Sequence, residues 1–246
     1  MRRKLLFFLA ILAGLFYSFS SNGQATFVSA TSGRWSDGPT WVGGVTPGAS
    51  DNAIITEGTT VSLLGSNETI LNLTINTAGV LNSENKIMTV NGKLIVNGTY
   101  TSKNAAAKDF EFNGDSIDGT GSIIIDFANK DFKINTNAII VPSCELIVYG
   151  NINVGASVTV INKGYIEVTD NLTGSNATTS IWTNFDNSHL IIGNSLLTTG
   201  ILNASASGNT VEYNLIGDQN IKNPSASTYY NILIRGAGNK NLLTDI

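Results

Sequence analysis

The feature that most constrains this chain is that it resembles itself. Lys108-Asp109-Phe110-Glu111-Phe112 recurs as Lys130-Asp131-Phe132-Lys133-Ile134, 22 residues later. Gly150-Asn151-Ile152-Asn153, Asp170-Asn171-Leu172-Thr173 and Asn194-Ser195-Leu196-Leu197 echo one another at offsets of 20 and 24. A drifting period of that length is one coil of a parallel β-helix, three short strands and three turns around a column of Val, Ile, Leu and Phe. Coils pair their backbones about 4.8 Å apart, which predicts roughly nine coils and a rod about 45 Å long.

The local pattern agrees. Strand-like segments bounded by turn residues include Ala53–Thr56, Thr59–Leu63, Thr69–Ile75, Lys93–Asn97, Asp109–Asn113, Ser122–Asp126, Glu145–Tyr149, Tyr165–Thr169, Thr210–Tyr213 and Tyr230–Arg235. Alternation with period two shows in Phe110-Glu111-Phe112 and Val158-Thr159-Val160. Only 13% of residues are charged, against 30 Asn, 26 Thr and 25 Gly, a composition for short strands and tight turns. No helix-forming stretch follows the amino-terminal apolar run. Strand spacing alone also fits a β-sandwich, the alternative to the all-β solenoid.

The amino terminus predicts export. Met1-Arg2-Arg3-Lys4 carries the charge, Leu5 to Tyr17 forms an apolar run, and Ser18 to Ala25 is polar and small. That is the order of a cleavable signal peptide, with cleavage after Gly23 or Ala25. The apolar run is too short to span a bilayer of roughly 30 Å as a helix, so no stable membrane insertion is expected after cleavage. The expected division is 1–24 signal peptide, 25–56 amino-terminal cap and first strand, and 57–246 β-helix coils, incomplete at the carboxyl end. The expected location is secreted or at the cell surface.

Removing Arg2, Arg3 and Lys4 takes the formal charge from −4 to −7. That balance argues against nucleic acid and anionic membrane as partners, since both reward clustered Lys and Arg. The single cysteine, Cys144, has no intramolecular disulfide partner and reads as a small buried apolar residue.

Some parallel β-helices are polysaccharide lyases or hydrolases, so an enzyme is a reading the residues must be weighed against. That chemistry needs convergent carboxylates with a base, or calcium ligands on one face. The only histidine, His189, lies at the edge of a strand. Asp115 and Asp118 sit in ordinary turn chemistry without the further ligands of a calcium loop. Asp109 and Asp131 are the best stacked pair, flanked by lysines. Thr99-Tyr100-Thr101 is too short for a regular threonine ladder. Asn67, Asn72, Asn97, Asn171, Asn176 and Asn203 fit an N-glycosylation pattern that so Asn-rich a chain produces by chance. No residue qualifies as a catalytic, cofactor-binding or metal site, and no cofactor is expected.

The opening segment Gly33 to Gly48 differs from the rest, holding two of the three Trp and two of the four Pro. A solenoid exposes raw core at its first coil, so an aromatic, turn-rich cap belongs there. Gly33, Trp35, Thr40, Trp41, Gly43, Gly44, Pro47, Asp51 and Ile55 fill every fixed position of G-x-W-x-x-x-x-T-W-x-G-G-x-x-P-x-x-x-D-x-x-x-I. This pattern resembles the opening of exported β-helix surface proteins of Bacteroidetes bacteria. Thr210-Val211-Glu212-Tyr213, Gln219-Asn220-Ile221 and the stretch Tyr229 to Lys240 resemble a closing module of the same group. The resemblance implies a right-handed parallel β-helix with adhesin-like surface roles. Members often end in a sorting domain read by type IX secretion, which this sequence does not contain.

The expected function is therefore a non-enzymatic exported module for adhesion, or for contact with polysaccharide or extracellular matrix. A carbohydrate-active enzyme or its substrate-binding part, and a structural spacer, are the alternatives.

Overall fold

The computed structural model describes residues 23–102, 109–125 and 130–242. The signal peptide read in the first residues, together with Lys108 and Asp126, lies outside the described residues up to residue 22 and at those two positions.

Among the described residues the chain winds as a parallel β-helix whose strands stack into three faces, with Gln219–Ile221 and Lys240–Leu242 pairing apart from them. Face 1 has nine strands, beginning Thr26–Val28, Asn52–Ile55, Asn72–Ile75 and Lys93–Val96 and ending Ile201–Asn203. Face 2 has ten, from Gly33–Arg34 and Thr60–Ser62 to Thr210–Tyr213 and Asn231–Ile234. Face 3 has six, from Glu68–Ile70 to Leu172–Gly174. Within a face each strand pairs in parallel with the strand one coil before and one coil after, as in Asn52–Asn72 on face 1 and Tyr165–His189 on face 2. A β-sandwich would pair sequence neighbours in antiparallel hairpins, so this topology excludes it. The only helix among the described residues is one 3-10 turn, Gly38–Thr40.

The repeat offsets are the coil registers. Phe110 pairs with Phe132 and Glu111 with Lys133 at an offset of 22, Ile152 pairs with Leu172, and Leu172 bridges Leu196. The stretch Thr69–Ile75, which reads as one strand, is two. Glu68–Ile70 belongs to face 3 and Asn72–Ile75 to face 1, with the corner at Leu71. The inward positions step from Ile70 to Leu73, so the alternation slips by one residue at that corner.

Inward positions form continuous columns. The Phe110 and Phe132 rings stack at 5.0 Å, and Tyr100 stacks on Phe110 at 4.1 Å, all buried. Cys144 is buried in the same core, and burial pushes its thiol up to about 12, so it carries no nucleophilic thiolate at ordinary pH.

Asparagine does more than make turns. The side-chain oxygen of a corner Asn or Asp repeatedly accepts the backbone N–H one coil later. Asn67 takes Ile87, Asn97 takes Thr120, Asn137 takes Thr159, Asn151 takes Asn171, and Asn171 takes Ser195, at 2.8–3.2 Å. Corners break the sheet ladder and leave amides without a strand partner, and these oxygens satisfy them. Four of the six Asn in the glycosylation pattern, Asn67, Asn72, Asn97 and Asn171, are engaged this way.

The cap lies within the first coil rather than before it, because Thr26–Val28 already pairs with Asn52–Ile55. Trp35 and Trp41 are 2% and 1% exposed, edge-on at 4.9 Å, and the Trp41 indole N–H donates to the Trp35 carbonyl at 2.8 Å. The motif residues are explained by this packing. A Cβ on Gly33 would sit 2.4 Å from Thr40 Oγ1, and Gly43 and Gly44 hold φ of 88° and 74°, left-handed values that favour glycine. The Asp51 carboxylate accepts N–H groups from Gly48 at 2.9 Å and Ala25 at 3.0 Å, tying the loop end to the chain's entry.

Candidate functional site

Face 1 carries an open groove of about 450 Å³ along the helix axis over its first coils. Two outward rows line it, because residues two apart on a strand point the same way and coil pairing stacks them. One row runs Thr26, Asn52, Asn72 and then Lys93. The other runs Ile54, Thr74 and Ile95. A polar rail thus stands beside a half-buried row of two isoleucines and a threonine, repeated at coil spacing.

The polar rail has a direction. The Lys93 backbone N–H can only donate, and it donates to Asn72 Oδ1 at 2.5 Å. That fixes the amide, so Asn72 Nδ2 faces Asn52 Oδ1 at 2.6 Å, and Asn52 Nδ2 in turn faces Thr26 Oγ1 at 3.1 Å. Gln24 Nε2 donates to the same Asn52 oxygen at 2.7 Å. Asn52 Oδ1 is therefore filled, while each amide nitrogen keeps a second N–H. Lys93 is exposed, and its ammonium has no ion-pair or hydrogen-bond partner among the described residues.

The carboxylate pair on face 3 is brought together, but with its groups engaged. Asp109 Oδ1 accepts the Asp131 backbone N–H at 3.0 Å, and its Oδ2 pairs with Lys133 Nζ at 2.7 Å. The register sets Glu111 beside Lys133, yet the ammonium reaches diagonally to Asp109 instead. Burial, with the Asp109 charge next in weight, raises the Asp131 carboxyl above its ordinary value. The hydrogen bond to Asp109 raises Lys133. Asp109 holds the next coil's amide just as Asn151 holds that of Asn171, so the acidic stack continues an asparagine ladder.

His189 sits on face 2 between two groups that sequence reading missed. Its Nε2 lies 3.3 Å from Glu212 Oε2, and its ring stands edge-on to Tyr165 at 5.2 Å. The buried Glu212 also takes Arg235 Nε at 2.8 Å. The spacing from His189 and Arg235 to Glu212, about one coil each way, is the signal that could have found this set. Asp118 Oδ1 accepts the Gly119 N–H at 2.8 Å and the Ser143 hydroxyl at 3.0 Å. Among the described residues no group of three or more His, Cys, Asp or Glu could hold a metal ion, and no helix is long and apolar enough to cross a membrane. Tyr100 points into the core between Thr99 and Thr101, so the threonines stand outward without extending into a ladder. No protein family, curated protein or solved structure matches this chain.

Proposed function

We propose that this chain is an exported, non-enzymatic surface module that contacts polysaccharide through the groove on face 1. The observation that carries the reading is the pairing of two parallel rails, one of amide and hydroxyl groups and one of Ile54, Thr74 and Ile95, repeated coil by coil. A linear glycan presents the same alternation, hydroxyls at its edges and C–H faces between them. The groove is open and shallow, and each net hydrogen bond contributes only about 0.5–1.5 kcal/mol. Affinity per molecule is therefore weak, and adhesion comes from many copies on one surface through effective concentration.

The non-enzymatic part is supported by the Asp109–Asp131–Lys133 stack, whose groups hold one another and the backbone. The test is a panel of acidic and neutral polysaccharides incubated with the protein, with and without calcium. Weak, calcium-insensitive retention without chain shortening is expected. Turnover of any polymer, abolished by Asp109→Asn or Asp131→Asn, overturns the reading.

A further inference from the structure

Resting on that reading of the groove, we infer that its ligand is an acid-bearing linear polysaccharide, whose carboxylates meet Lys93 and the free amide N–H groups of Asn72 and Asn52. Three observations lead there. The only charged residue lining the groove is a lysine, in a chain whose formal charge is −4. That ammonium has no partner among the described residues, whereas Lys133 and Arg235 are each paired with a carboxylate. The rail is also donor-rich, since the direction set by the Lys93 N–H occupies the Asn52 oxygen and leaves each amide nitrogen a second N–H.

Toward the ammonium and the amide N–H groups a neutral sugar hydroxyl can act only as a neutral acceptor. A carboxylate accepts on both oxygens and gains charge-assisted bonds from the ammonium. Two acidic residues border these rows, Asp51 ahead of Asn52 and Asp118 stacked on Ile95. Both oxygens of Asp51 are taken by backbone N–H groups of the cap, and Asp118 turns to Gly119 and Ser143. The negative charge elsewhere on the rod is screened beyond about 8–10 Å at physiological ionic strength. Lys93 is thus the one charge lining the groove, which suits a ligand with spaced charges rather than a dense polyanion.

The experiment compares matched pairs of linear neutral glycans with their C6-oxidised forms, which differ only in the carboxylate. Retention on the immobilised mature chain is measured for the native protein, Lys93→Gln and Lys163→Gln. Lys163 is the control, a lysine lying over the Phe185 ring away from the groove. The expected result is about tenfold tighter binding of at least one oxidised glycan, the scale of one charged hydrogen bond. Lys93→Gln should erase that gain, and Lys163→Gln should leave it intact. Equal binding of neutral and oxidised forms, unaffected by Lys93→Gln, overturns the charge inference while glycan contact stands. A gain lost equally in both lysine variants overturns it as nonspecific attraction. Binding of no glycan at all overturns the underlying reading too.

Discussion

The first coil and the last described coil cover their inward side chains differently. At the amino end, Trp35 and Trp41 lie across the first coil and are almost wholly buried. At the last described coil on face 2, Ile232 and Ile234 stack on Val211 and Tyr213, the inward positions, yet are 42% and 43% exposed. Leu242, stacked on Ile221, is 64% exposed. Closing a solenoid end takes a dedicated motif with fixed glycines and aromatics, whereas an interior coil takes only an alternating pattern. Stability along the rod should therefore be graded, with the capped end holding its backbone longest.

The largest effect that would break this contrast is loss of the cap. Trp41→Ala removes a buried ring and the hydrogen bond to Trp35, and should cost about 3–5 kcal/mol in denaturant unfolding. A loss below about 1 kcal/mol would mean that the cap does not seal the first coil. Phe132→Ala, in the middle of the rod, should cost a similar 3–5 kcal/mol, because its ring is held between Phe110 and Phe112. It serves as the interior reference for both ends.

At the last described coil the same kind of truncation should matter less. Ile234→Ala is expected to cost less than about 2 kcal/mol, the lower bound for a buried site. Amide hydrogen exchange sharpens the point, since Asn231–Ile234 should exchange well before Asn52–Ile55. Equal protection of the two strands would show that the last coil is sealed in solution.

The smallest effect is electrostatic and lies between the ends. The folded state holds the Asp131 proton more tightly than the unfolded chain does, so Asp131 weakens folding as pH rises from 3.8 through its raised folded value. Asp131→Asn would continue the ladder of Asn151 and Asn171, and should stabilise at neutral pH by under about 1 kcal/mol. That gain should vanish below about pH 4, where the unfolded carboxyl is also protonated. A destabilised variant at neutral pH would show that the Asp131 charge contributes through Lys133 more than burial costs.

Much of the fold was legible because a coil repeats. Phe110 and Phe132 announce their own pairing, and the apolar alternation around Cys144 gives away its burial. The site was less legible. Thr26, Asn52, Asn72 and Lys93 are separated by 26, 20 and 21 residues, and nothing in their neighbourhoods marks them as one row. The Asn residues read as turn formers, which understated them, since the inter-coil hydrogen bonds they make involve partners a full coil away.

The sequence by itself determined the parallel β-helix and the coil register at Phe110 and Phe132. Those follow from period and alternation, which are properties of the chain read one residue after another. Only the tertiary structure decided that Lys133 pairs with Asp109 rather than Glu111, that Glu212 gathers His189 and Arg235, and that the amides beside Lys93 all run one way. Side chains reach diagonally across coils about 4.8 Å apart, and insertions at the corners change which of them come within reach. Register fixes the rows, but the choice among neighbours in adjacent rows is made by geometry that no linear pattern records.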